Sequence, residues 1–551
     1  MKRRTLPLLA FRLARFGLLP ALFYLAGFVL LTCPAILSFP THFFTDDGDG
    51  LQNVWNLWWV NKAVTSLGRS PWHTTYLYYP EGTTLLGQTL NPFNGLLAIG
   101  LLRVMPLVQA HNVIVIFCFV AAGLTTFALA YSFTRSYWAS VAAGCVFTFS
   151  PYHFAHTSGH LQLISVEWVP LFLLCWHRLL VRPRIGTAVA AALVLLLVLL
   201  CDHYYFFYCG VAGVLTLVWY LVSTRRAVDR AWRRRAVPLV VFAATALATC
   251  APLPMAVAAA HRRDPFVGAH NPSDFSSDLM APFIPGGRWR LAPVTEFYWS
   301  RLPGNLDESH AHLGLSVIFL LVYVLVRNRR HRLAGAGLWW LVLVVFYLFS
   351  LGPVLRVWGR EIPLPVTPYT LLEAAFPLLK LSGVPARMMA MVTLSAAILF
   401  AYGLAMLARG RGRRRWALIG VLLAILCVEY LPDPLPRTPS AVPPHVRALK
   451  ELPKRGAVVD LEARLGWSLY YQTVHEKPLA FGYISRAPAS VESRRRRFLQ
   501  LAERGLYDVI CDEPGVAYLV VDAATTCPSL PLVHEDANAR IYACASPQQD
   551  G

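Results

Sequence analysis

The chain has 551 residues, of which 56% are hydrophobic and 15% are charged, and its mean hydropathy is +0.48. This composition excludes a soluble globular enzyme and is typical of a membrane protein. The formal net charge of +20 comes from Lys and Arg residues in short runs between apolar segments, so it does not form the continuous basic surface that nucleic-acid binding requires.

Long apolar segments recur along the first 431 residues and predict transmembrane helices, because a helix of about 20 apolar residues crosses the hydrocarbon core of a bilayer. We predict about eleven such helices. Their limits are 16–38, 111–133, 138–153, 161–181, 185–202, 204–222, 237–259, 313–326, 335–351, 387–408 and 416–431. The first segment has no small-residue cleavage site, so we expect it to be retained. Residues 1–431 are therefore expected to form an all-α polytopic membrane bundle.

Basic residues between the predicted spans indicate the orientation of the bundle. If the N-terminus is cytoplasmic, the inward-facing segments contain the basic clusters of residues 225–235, 327–332 and 409–415 and a single acid, Asp229. The outward-facing loops are mixed in sign. The apolar segment 94–109 would reverse this pattern if it crossed the membrane, so we expect it to form a helix on the outer membrane surface.

The first outer loop, residues 39–110, begins with the most informative segment of the chain. Residues 45–50 have the sequence Thr-Asp-Asp-Gly-Asp-Gly, which places Asp46, Asp47 and Asp49 within four residues. Such a cluster can bind a divalent cation, or it can keep one carboxylate as a general base. The alternative is an Asp/Gly turn that starts a surface helix.

Trp55, Trp58 and Trp59 follow this segment and are expected at the membrane interface. A carboxylate cluster beside interfacial aromatic residues is where a lipid-linked substrate would present its headgroup.

A second polar group is expected at the outer ends of the middle spans. His156 and His160 are four residues apart, and Glu167 follows inside a predicted span. A zinc site and a set of interfacial histidines both fit this spacing, and we favour the second. Asp202 and His203, at the next outer boundary, would face the same cavity. We predict His160, Glu167, Asp202 and His203 as substrate contacts.

The loop from residue 261 to residue 312 contains several acids, including Glu308. It is longer than a simple turn, so a lid over the cavity and an ordinary mixed-charge loop both fit it. The sequence contains no phosphate-binding P-loop and no nucleophile-elbow motif, which argues against an ATP-driven pump and a serine hydrolase.

The composition changes after residue 431. Residues 432–551 open with a proline-rich linker and continue as a small α/β domain. We predict strands at 457–461 and 516–522 and helices at 444–452 and 490–503. An odd number of spans from a cytoplasmic N-terminus places this domain outside. Its three cysteines then meet oxidising conditions, and the sequence does not select a pair among Cys511, Cys527 and Cys544.

The layout and several short motifs resemble the GT-C superfamily of glycosyltransferases, integral membrane enzymes that use polyprenyl-phosphate sugars on the outer face of the membrane. The shared layout is a single N-terminal helix, a long first outer loop with an acidic motif, surface helices in that loop at 51–67 and 94–109, many further spans and an exterior α/β domain. The motifs, similar to those of a bacterial branch, are Asp47-Gly48-Asp49, Tyr79-Pro80-Glu81-Gly82, Glu167-Trp168-Val169-Pro170, Pro385-Ala386-Arg387, Tyr471-Gln472-Thr473 and Gly482-Tyr483-Ile484-Ser485-Arg486.

This resemblance implies an inverting glycosyltransferase. Asp49 or Asp47 would deprotonate the acceptor, with Glu81 as a second candidate, and a Mg or Mn ion, if used, would lie at Asp47 and Asp49 against the donor phosphate. Arg387, with Lys380 close by, would bind that phosphate, because a guanidinium can contact two phosphate oxygens. The alternative for Arg387 is an interfacial arginine that extends toward lipid headgroups.

The expected partners are a polyprenyl-phosphate sugar donor, a lipid, glycan or protein acceptor, and the bilayer, with no nucleic acid. The expected location is the bacterial cytoplasmic membrane, with the N-terminus inside and the C-terminal domain outside. The competing hypotheses are a non-catalytic flippase or transporter of lipid-linked glycans and an envelope-assembly scaffold. We favour the enzyme, because a transporter is expected to have charged groups deep in several spans, whereas the acids here gather toward the outer face.

Overall fold

The structure is a computed structural model that describes residues 11–223, 228–331, 333–381, 383–410, 412–453 and 456–544. Residues 1–10 and 224–227, which include part of the predicted cytoplasmic charge, lie outside the described residues. The chain is mostly helical and divides into two compact units. Unit 1 comprises Met1–Leu37, Val115–Pro252 and Ala269–Leu435, and unit 2 comprises Ser38–Ile114, Leu253–Gly268 and Pro436–Gly551.

Unit 1 consists largely of apolar helices. The α-helices of this part of the chain are Leu19–Thr32, Leu107–Thr134 (which begins in unit 2), Tyr137–Thr148, Pro151–Ala155, Leu161–Ile164, Trp168–Val181, Ile185–Cys201, His203–Ser223, Val228–Cys250, Glu296–Trp299, Leu306–Ser309, Leu315–His331, Ala336–Ser350, Pro368–Ala375, Met389–Arg409 and Arg414–Glu429. The strands Leu355–Val357 and Arg360–Ile362 form an antiparallel hairpin. The helix Met389–Arg409 is buried from Met389 to Ala405, so it is a core helix of the unit.

Five helices are long and apolar enough to cross a membrane, and they are Phe11–Thr32, Leu107–Thr134, Leu161–Val181, His203–Ser223 and Pro385–Arg409. The bent pair Ala236–Cys250 and Pro252–Arg263 adds a sixth if it counts as one span. The described residues thus give five or six full-length spans, fewer than the eleven predicted. The reason is that several predicted spans, such as Ile185–Cys201 and Ala336–Ser350, fold as helices of 10–17 residues, whereas a perpendicular crossing takes about 20.

Unit 2 combines helices with a four-stranded mixed sheet. Its helices are Asp49–Asn61, Pro92–Leu101, Pro252–Arg263, Pro444–Glu451, Leu465–His475, Ala489–Glu503 and Tyr507–Cys511. In the sheet, Ala457–Asp460 pairs in parallel with Val516–Asp522, which pairs antiparallel with Ala539–Ala543, and this strand pairs with Leu532–Glu535. The short strands His42–Phe43 and Thr438–Pro439 pair with each other, as do His73–Thr74 and Thr83–Thr84.

The limits of unit 2 differ from the boundary expected at residue 432. The first outer loop and the C-terminal segment share one hydrophobic core, so they form a single compact unit rather than a loop and a separate domain. The predicted strands and helices of the C-terminal segment all occur in the structure within a few residues of their expected limits. The predicted surface helix at 94–109 is shorter than expected and covers Pro92–Leu101, because a turn separates it from the long helix that starts at Leu107.

The tryptophans of the first outer loop lie in this core rather than in an exposed interfacial position. Trp55, Trp58 and Trp59 are 0%, 8% and 2% exposed. The rings of Trp55 and Trp59 stack at 5.7 Å, and Trp55 Nε1 donates a hydrogen bond of 2.7 Å to Gln472 Oε1. The expectation that these three residues contact the bilayer is therefore wrong. Their apolar surface is buried against side chains that follow about 400 positions later in the chain.

A disulfide joins Cys511 and Cys544 in unit 2, and Cys527 is a buried free cysteine. The bond links the end of the helix Tyr507–Cys511 to the residue after the strand Ala539–Ala543. It therefore fixes a helix to the sheet across a sequence separation of 33 residues.

We expect the double substitution Cys511→Ser and Cys544→Ser to lower the stability of the protein by about 3 kcal/mol, because it frees a loop in the unfolded chain. The measurement is the thermal unfolding midpoint of the purified full chain in detergent. The control is Cys33→Ser at an exposed free cysteine. Equal midpoints for the double variant and the control would contradict the bond, and peptide mass spectrometry without reductant would show directly whether the linked peptide exists.

Candidate functional site

The three acids of the first outer loop have different partners, and Asp46 shapes the backbone. Asp46 Oδ1 accepts hydrogen bonds from the amides of Gly48 and Gly50, at 3.1 and 2.9 Å. Gly50 lies in the first turn of the helix Asp49–Asn61, where amides have no partner within the helix. Burial raises the pKa of Asp46 above its ordinary value, and the two amides act in the opposite direction. Asp46 therefore forms the turn that starts this helix.

Asp47 is exposed and faces the helix Leu465–His475. Its Oδ2 accepts a hydrogen bond of 3.3 Å from Trp467 Nε1 and lies 3.8 Å from a guanidinium nitrogen of Arg464. A Cβ at Gly466 would come within 2.4 Å of the Asp47 carbonyl oxygen, so glycine permits this close approach. The pair with Arg464 is exposed to solvent, and such pairs contribute little to stability.

Asp49 is half-buried in the first turn of the helix, where a negative charge is favoured by the helix dipole. Burial raises the pKa of the Tyr483 phenol, and the nearby Asp49 carboxylate acts in the same direction. Asn53, one turn later, donates from Nδ2 to the carbonyl oxygen of Asp49 at 2.9 Å. Of the three acids, Asp49 is the one that lies within the helix itself.

Buried amide side chains support this arrangement. Gln52 donates to Gln88 at 2.9 Å, and Gln88 donates to Asn56 at 3.2 Å. The hydroxyl of Ser485 donates to Gln52 Oε1 at 2.9 Å, and its amide donates to Gln88 Oε1 at 2.9 Å. Gln52, Gln88 and Asn56 are at most 3% exposed. The network therefore joins the helix that holds Asp49 to the segment 482–486.

Glu81, the second candidate for the base, lies in an ion pair. Its carboxylate accepts a short hydrogen bond from Arg494, which also donates to the carbonyl oxygen of Tyr79 at 2.9 Å. A hydrogen bond from its own backbone amide and the contact with Arg494 hold the pKa of Glu81 below its ordinary value. Glu81 also lines a cavity of about 260 Å³ with Arg494, Arg497, Phe498, Leu501, Glu513 and Pro514.

Arg387 is buried in unit 1 and forms an ion pair with Glu308. Its Nε and one terminal nitrogen both donate to Glu308 Oε1, at 2.8 and 2.5 Å. The guanidinium also lies 5.0 Å from the ring centroid of Tyr204. Glu308 belongs to the short helix Leu306–Ser309, which Asn305 caps by accepting from the Glu308 amide at 2.8 Å. Arg387 is therefore not an arginine that extends to lipid headgroups, and Lys380 in the turn Pro377–Leu381 is exposed.

Histidines lie beside this pair. His156 Nε2 is 3.8 Å from Glu308 Oε2, and neither atom has a hydrogen-bond partner among the described residues. Nδ1 of His156 is 3.4 Å from Nδ1 of His160. Burial and the charge of Arg387 hold the pKa of His156 well below its ordinary value, and burial with the neighbouring His156 lowers the pKa of His160 to about 3. Both rings are therefore neutral near pH 7.

The remaining predicted contacts in unit 1 are Glu167, Asp202 and His203, and Asp202 lies close enough to Arg387 and Glu308 to interact with both charges. Glu167 precedes the helix Trp168–Val181 and is fully buried, and neither of its carboxylate oxygens has a hydrogen-bond partner in the described ranges. Asp202 Oδ1 accepts from the amides of Tyr204 and Tyr205 at 2.7 and 3.1 Å, so it starts the helix His203–Ser223. His203 is exposed. Contacts in unit 1 thus join Arg387 to His156 and His160 through Glu308.

The acids do not fit a magnesium or manganese site. Asp46 accepts from backbone amides, Asp47 faces Trp467 and Asp49 faces Tyr483, so the three carboxylates do not converge on one point. Over the described part of the chain, no group of three or more His, Cys, Asp or Glu side chains is arranged to hold a metal ion. The same finding applies to the zinc site considered for His156 and His160, which does not occur among the described residues.

Sequence reasoning missed three residues of these clusters. Tyr483 belongs to a motif that was noted without a role, and Glu308 was one acid among several in a long loop. Nothing in the sequence around Trp467 indicated a role for it, because its contact with Asp47 joins positions that are 420 residues apart.

Comparisons with known proteins give a family and a fold. A family model described as domain of unknown function (DUF6311) matches residues 21–431. No curated protein matches the chain.

Among solved structures, an arabinofuranosyltransferase AftD from Mycobacteria is 14% identical with a TM-score of 0.60, and the match covers 98% of this chain and 42% of that one. ArnT from Cupriavidus metallidurans, bound to undecaprenyl phosphate, is 11% identical with a TM-score of 0.49 over 96% and 98% of the two chains. The oligosaccharyltransferase AglB from Archaeoglobus fulgidus, with an inhibitory peptide and a dolichol-phosphate, is 12% identical with a TM-score of 0.46 over 92% and 69%. The chain thus spans less than half the length of AftD, and the likeness confirms a GT-C-like fold.

Asp46 gives a test of the turn. We expect Asp46→Ala to lower stability by about 1 kcal/mol, because two helix-start amides lose their acceptor. Asp46→Asn keeps an acceptor oxygen and is expected to retain most of that stability. The thermal unfolding midpoints of the two variants measure the difference, and equal losses would show that the carboxylate charge rather than the turn matters.

The pair of Arg387 and Glu308 gives a second test. Arg387→Met leaves a buried carboxylate without its partner, so we expect a loss of about 3–5 kcal/mol. The double variant Arg387→Met with Glu308→Leu removes both charges and is expected to recover most of the unfolding midpoint. A double variant no more stable than Arg387→Met would contradict a mainly electrostatic role for the pair.

Proposed function

This chain belongs to the DUF6311 family, and we propose that it is a membrane glycosyltransferase that moves a sugar from a polyprenyl-phosphate donor to an envelope acceptor. The GT-C-like fold supports this proposal. The observation that carries it is the difference between the three acids. Asp46 forms a turn and Asp47 is exposed and pairs with Trp467 and Arg464, whereas Asp49 is half-buried in the first turn of the helix Asp49–Asn61. We therefore assign the base to Asp49.

The proposed step is a displacement at the anomeric carbon. The Asp49 carboxylate accepts the proton of an acceptor hydroxyl, and the acceptor oxygen forms a bond to the anomeric carbon. The bond between that carbon and the phosphate oxygen breaks, and the polyprenyl phosphate leaves with the electron pair. Attack opposite to the leaving group inverts the configuration of the sugar carbon.

Arg387 remains our candidate for the contact with the donor phosphate. A guanidinium has five N–H donors, and Glu308 accepts from only two of the nitrogens of Arg387. The buried carboxylate holds the guanidinium in one orientation, and the remaining donors are available to an anionic oxygen. In this proposal Glu308 positions Arg387 and does not contact the sugar.

We also propose the topology predicted from the sequence. In this proposal the short apolar helices complete about eleven crossings, the N-terminus is cytoplasmic, and unit 2 faces the outer side of a bacterial cytoplasmic membrane. The disulfide between Cys511 and Cys544 supports an outer location, because structural disulfides persist in oxidising compartments.

A transport function is the second candidate. Glu167 is a fully buried carboxylic acid within the apolar segment Leu161–Val181, with no hydrogen-bond partner among the described residues. Ionisable groups at such positions often mark substrate or proton pathways in transporters. A transporter would not depend on Asp49 for a chemical step, so the same variant separates the two functions.

The test is glycan transfer by Asp49→Asn, produced at wild-type level in a strain that lacks the gene. We expect the loss of a general base to lower transfer at least a hundredfold. The measurement is mass spectrometry of the envelope glycans. Asp47→Asn is expected to keep much of the product, because it retains a side chain that can accept from Trp467.

The matched control is Asp512→Asn, which removes an exposed acid from the same unit. Full product from Asp49→Asn would remove the base assignment. Loss of product from the control as well would show a general effect of neutralising acids in unit 2.

A further inference from the structure

The cavity beside Glu81 lies wholly within unit 2 and has a volume of about 260 Å³. Three separate segments of the chain surround it, and they are the helix Ala489–Glu503, the residue Glu81 and the turn at residues 513–514. Pockets for drug-sized ligands have volumes of roughly 300–1,000 Å³, so this cavity accommodates a ligand of about one or two six-membered rings.

Two pairs of arginine and glutamate form the polar wall of this cavity. Arg494 donates a short hydrogen bond to Glu81, and Arg497 donates one of 2.5 Å to Glu513 Oε1. Each positive charge has a carboxylate beside it, so the wall has no net formal charge. An anionic ligand would meet both glutamates and a cationic ligand would meet both arginines, and such like-charge contacts are unfavourable. The wall therefore favours a neutral ligand.

Both pairs leave hydrogen-bonding groups available to a ligand. Of the five N–H donors of a guanidinium, Arg494 uses three within the described part of the chain, on Glu81 and on two backbone carbonyl oxygens, and Arg497 uses one, on Glu513. A carboxylate has about four lone-pair sites, and the Arg497 contact occupies one of those of Glu513. Donors and acceptors thus lie side by side. A hydroxyl group matches this pattern, because it both donates and accepts.

Apolar side chains form the rest of the lining, and they are Phe498, Leu501 and Pro514. Phe498 is 2% exposed, and its ring centroid lies 5.6 Å from that of Phe481, so this part of the lining belongs to the hydrophobic core. A sugar ring has hydroxyl groups at its edge and apolar C–H groups on its face. One such ligand can therefore contact both the polar and the apolar parts of the cavity.

The polar wall is held in place by contacts within the protein. Arg494 also donates to the carbonyl oxygens of Tyr78 and Tyr79, at 3.4 and 2.9 Å. Glu513 lies two residues after Cys511, which the disulfide fixes to the sheet. Groups that are already ordered lose little conformational freedom when a ligand binds, and this favours affinity.

We propose that this cavity binds one neutral sugar ring through Glu81, Arg494, Arg497 and Glu513, and that the ring belongs to the acceptor glycan. Hydroxyl groups of the sugar donate to the two carboxylates and accept from the two guanidinium groups. The assignment to the acceptor rests on the proposed function, whereas the binding of a sugar does not.

The first measurement is sugar binding by the purified full chain, recorded by saturation-transfer difference NMR. The probes are the methyl α-pyranosides of glucose, mannose and galactose, and the detergent is lauryldimethylamine oxide, which has no sugar headgroup. We expect at least one probe to bind saturably, with a Kd in the millimolar range. No saturable binding by any of the three overturns the site. Tighter binding of the anionic methyl glucuronide than of all three overturns the neutral ligand.

The location is tested by Arg497→Met, which removes one arginine of the wall. We expect binding of the methyl pyranoside to weaken about tenfold or more, because hydrogen bonds from a charged group are lost. The matched control is Arg496→Met, since Arg496 is the neighbouring residue, is 70% exposed and pairs with Glu492 outside the cavity. Both variants are expected to unfold at the wild-type midpoint, because exposed ion pairs contribute little to stability. Unchanged binding by Arg497→Met overturns the location.

Hydrogen exchange of the wild-type protein decides the location if Arg497→Met does not fold. The bound methyl pyranoside is expected to slow exchange in the helix Ala489–Glu503 and to leave the helix Pro444–Glu451 of the same unit unchanged. No change in the first helix, or an equal change in both, overturns the site.

Glycan transfer tests the assignment to the acceptor. We expect Arg497→Met to lower envelope product about tenfold, in line with its loss of sugar binding, and Arg496→Met to keep the product. Full product from an Arg497→Met protein that no longer binds the sugar overturns this assignment.

The outcomes separate this inference from the proposed function. Asp49→Asn is expected to bind the methyl pyranoside as the wild type does, because Asp49 does not line the cavity. Full transfer by Asp49→Asn overturns the base and leaves the sugar site in place. Loss of transfer by Asp49→Asn in a protein that binds none of the sugars overturns the sugar site alone.

Discussion

The buried hydrogen bonds among Gln52, Gln88 and Ser485 determine the geometry of unit 2 around the acidic loop. Each of the two glutamines would cost about 1–3 kcal/mol if it were buried without a partner. The three residues are therefore satisfied together, which fixes the helix Asp49–Asn61 against the segment 482–486 in one register. Apolar packing around Trp55 and Trp59 supplies the burial, and the polar contacts supply the specificity.

In unit 1, a buried ion pair rather than a network of amide side chains fixes the local geometry. Arg387 lies at the start of its core helix, and Glu308 reaches it from the loop 261–312. An ion pair in a buried setting requires close geometry, because the desolvation of both charges must be offset by their contact. The end of this loop is therefore fixed at Glu308. This contact limits how much of the loop can move as the lid that the length of the loop predicted.

The sequence predicted those features of the structure that depend on residues close to one another in the chain. Apolar runs and arginine clusters predicted a membrane protein, and alternating strands and helices predicted the elements between Pro444 and Asp522. The acidic loop was also found, because three acids and two glycines are adjacent. The partners of those acids could not be predicted, since Trp467 and Tyr483 follow more than 400 residues later and nothing in the local pattern selects them. The burial of Trp55 was missed for the same reason.

The long sequence separation within unit 2 also affects how the protein is made. Gln52 and Ser485 are 433 positions apart, so a ribosome that adds about 5–20 residues per second needs roughly 20–90 s between them. During that interval the acidic loop has emerged without the side chains that orient it. Unit 2 is therefore completed only after the apolar helices of unit 1 have been synthesised, and a chain that ends before Ser485 lacks the polar contacts that hold the acidic loop.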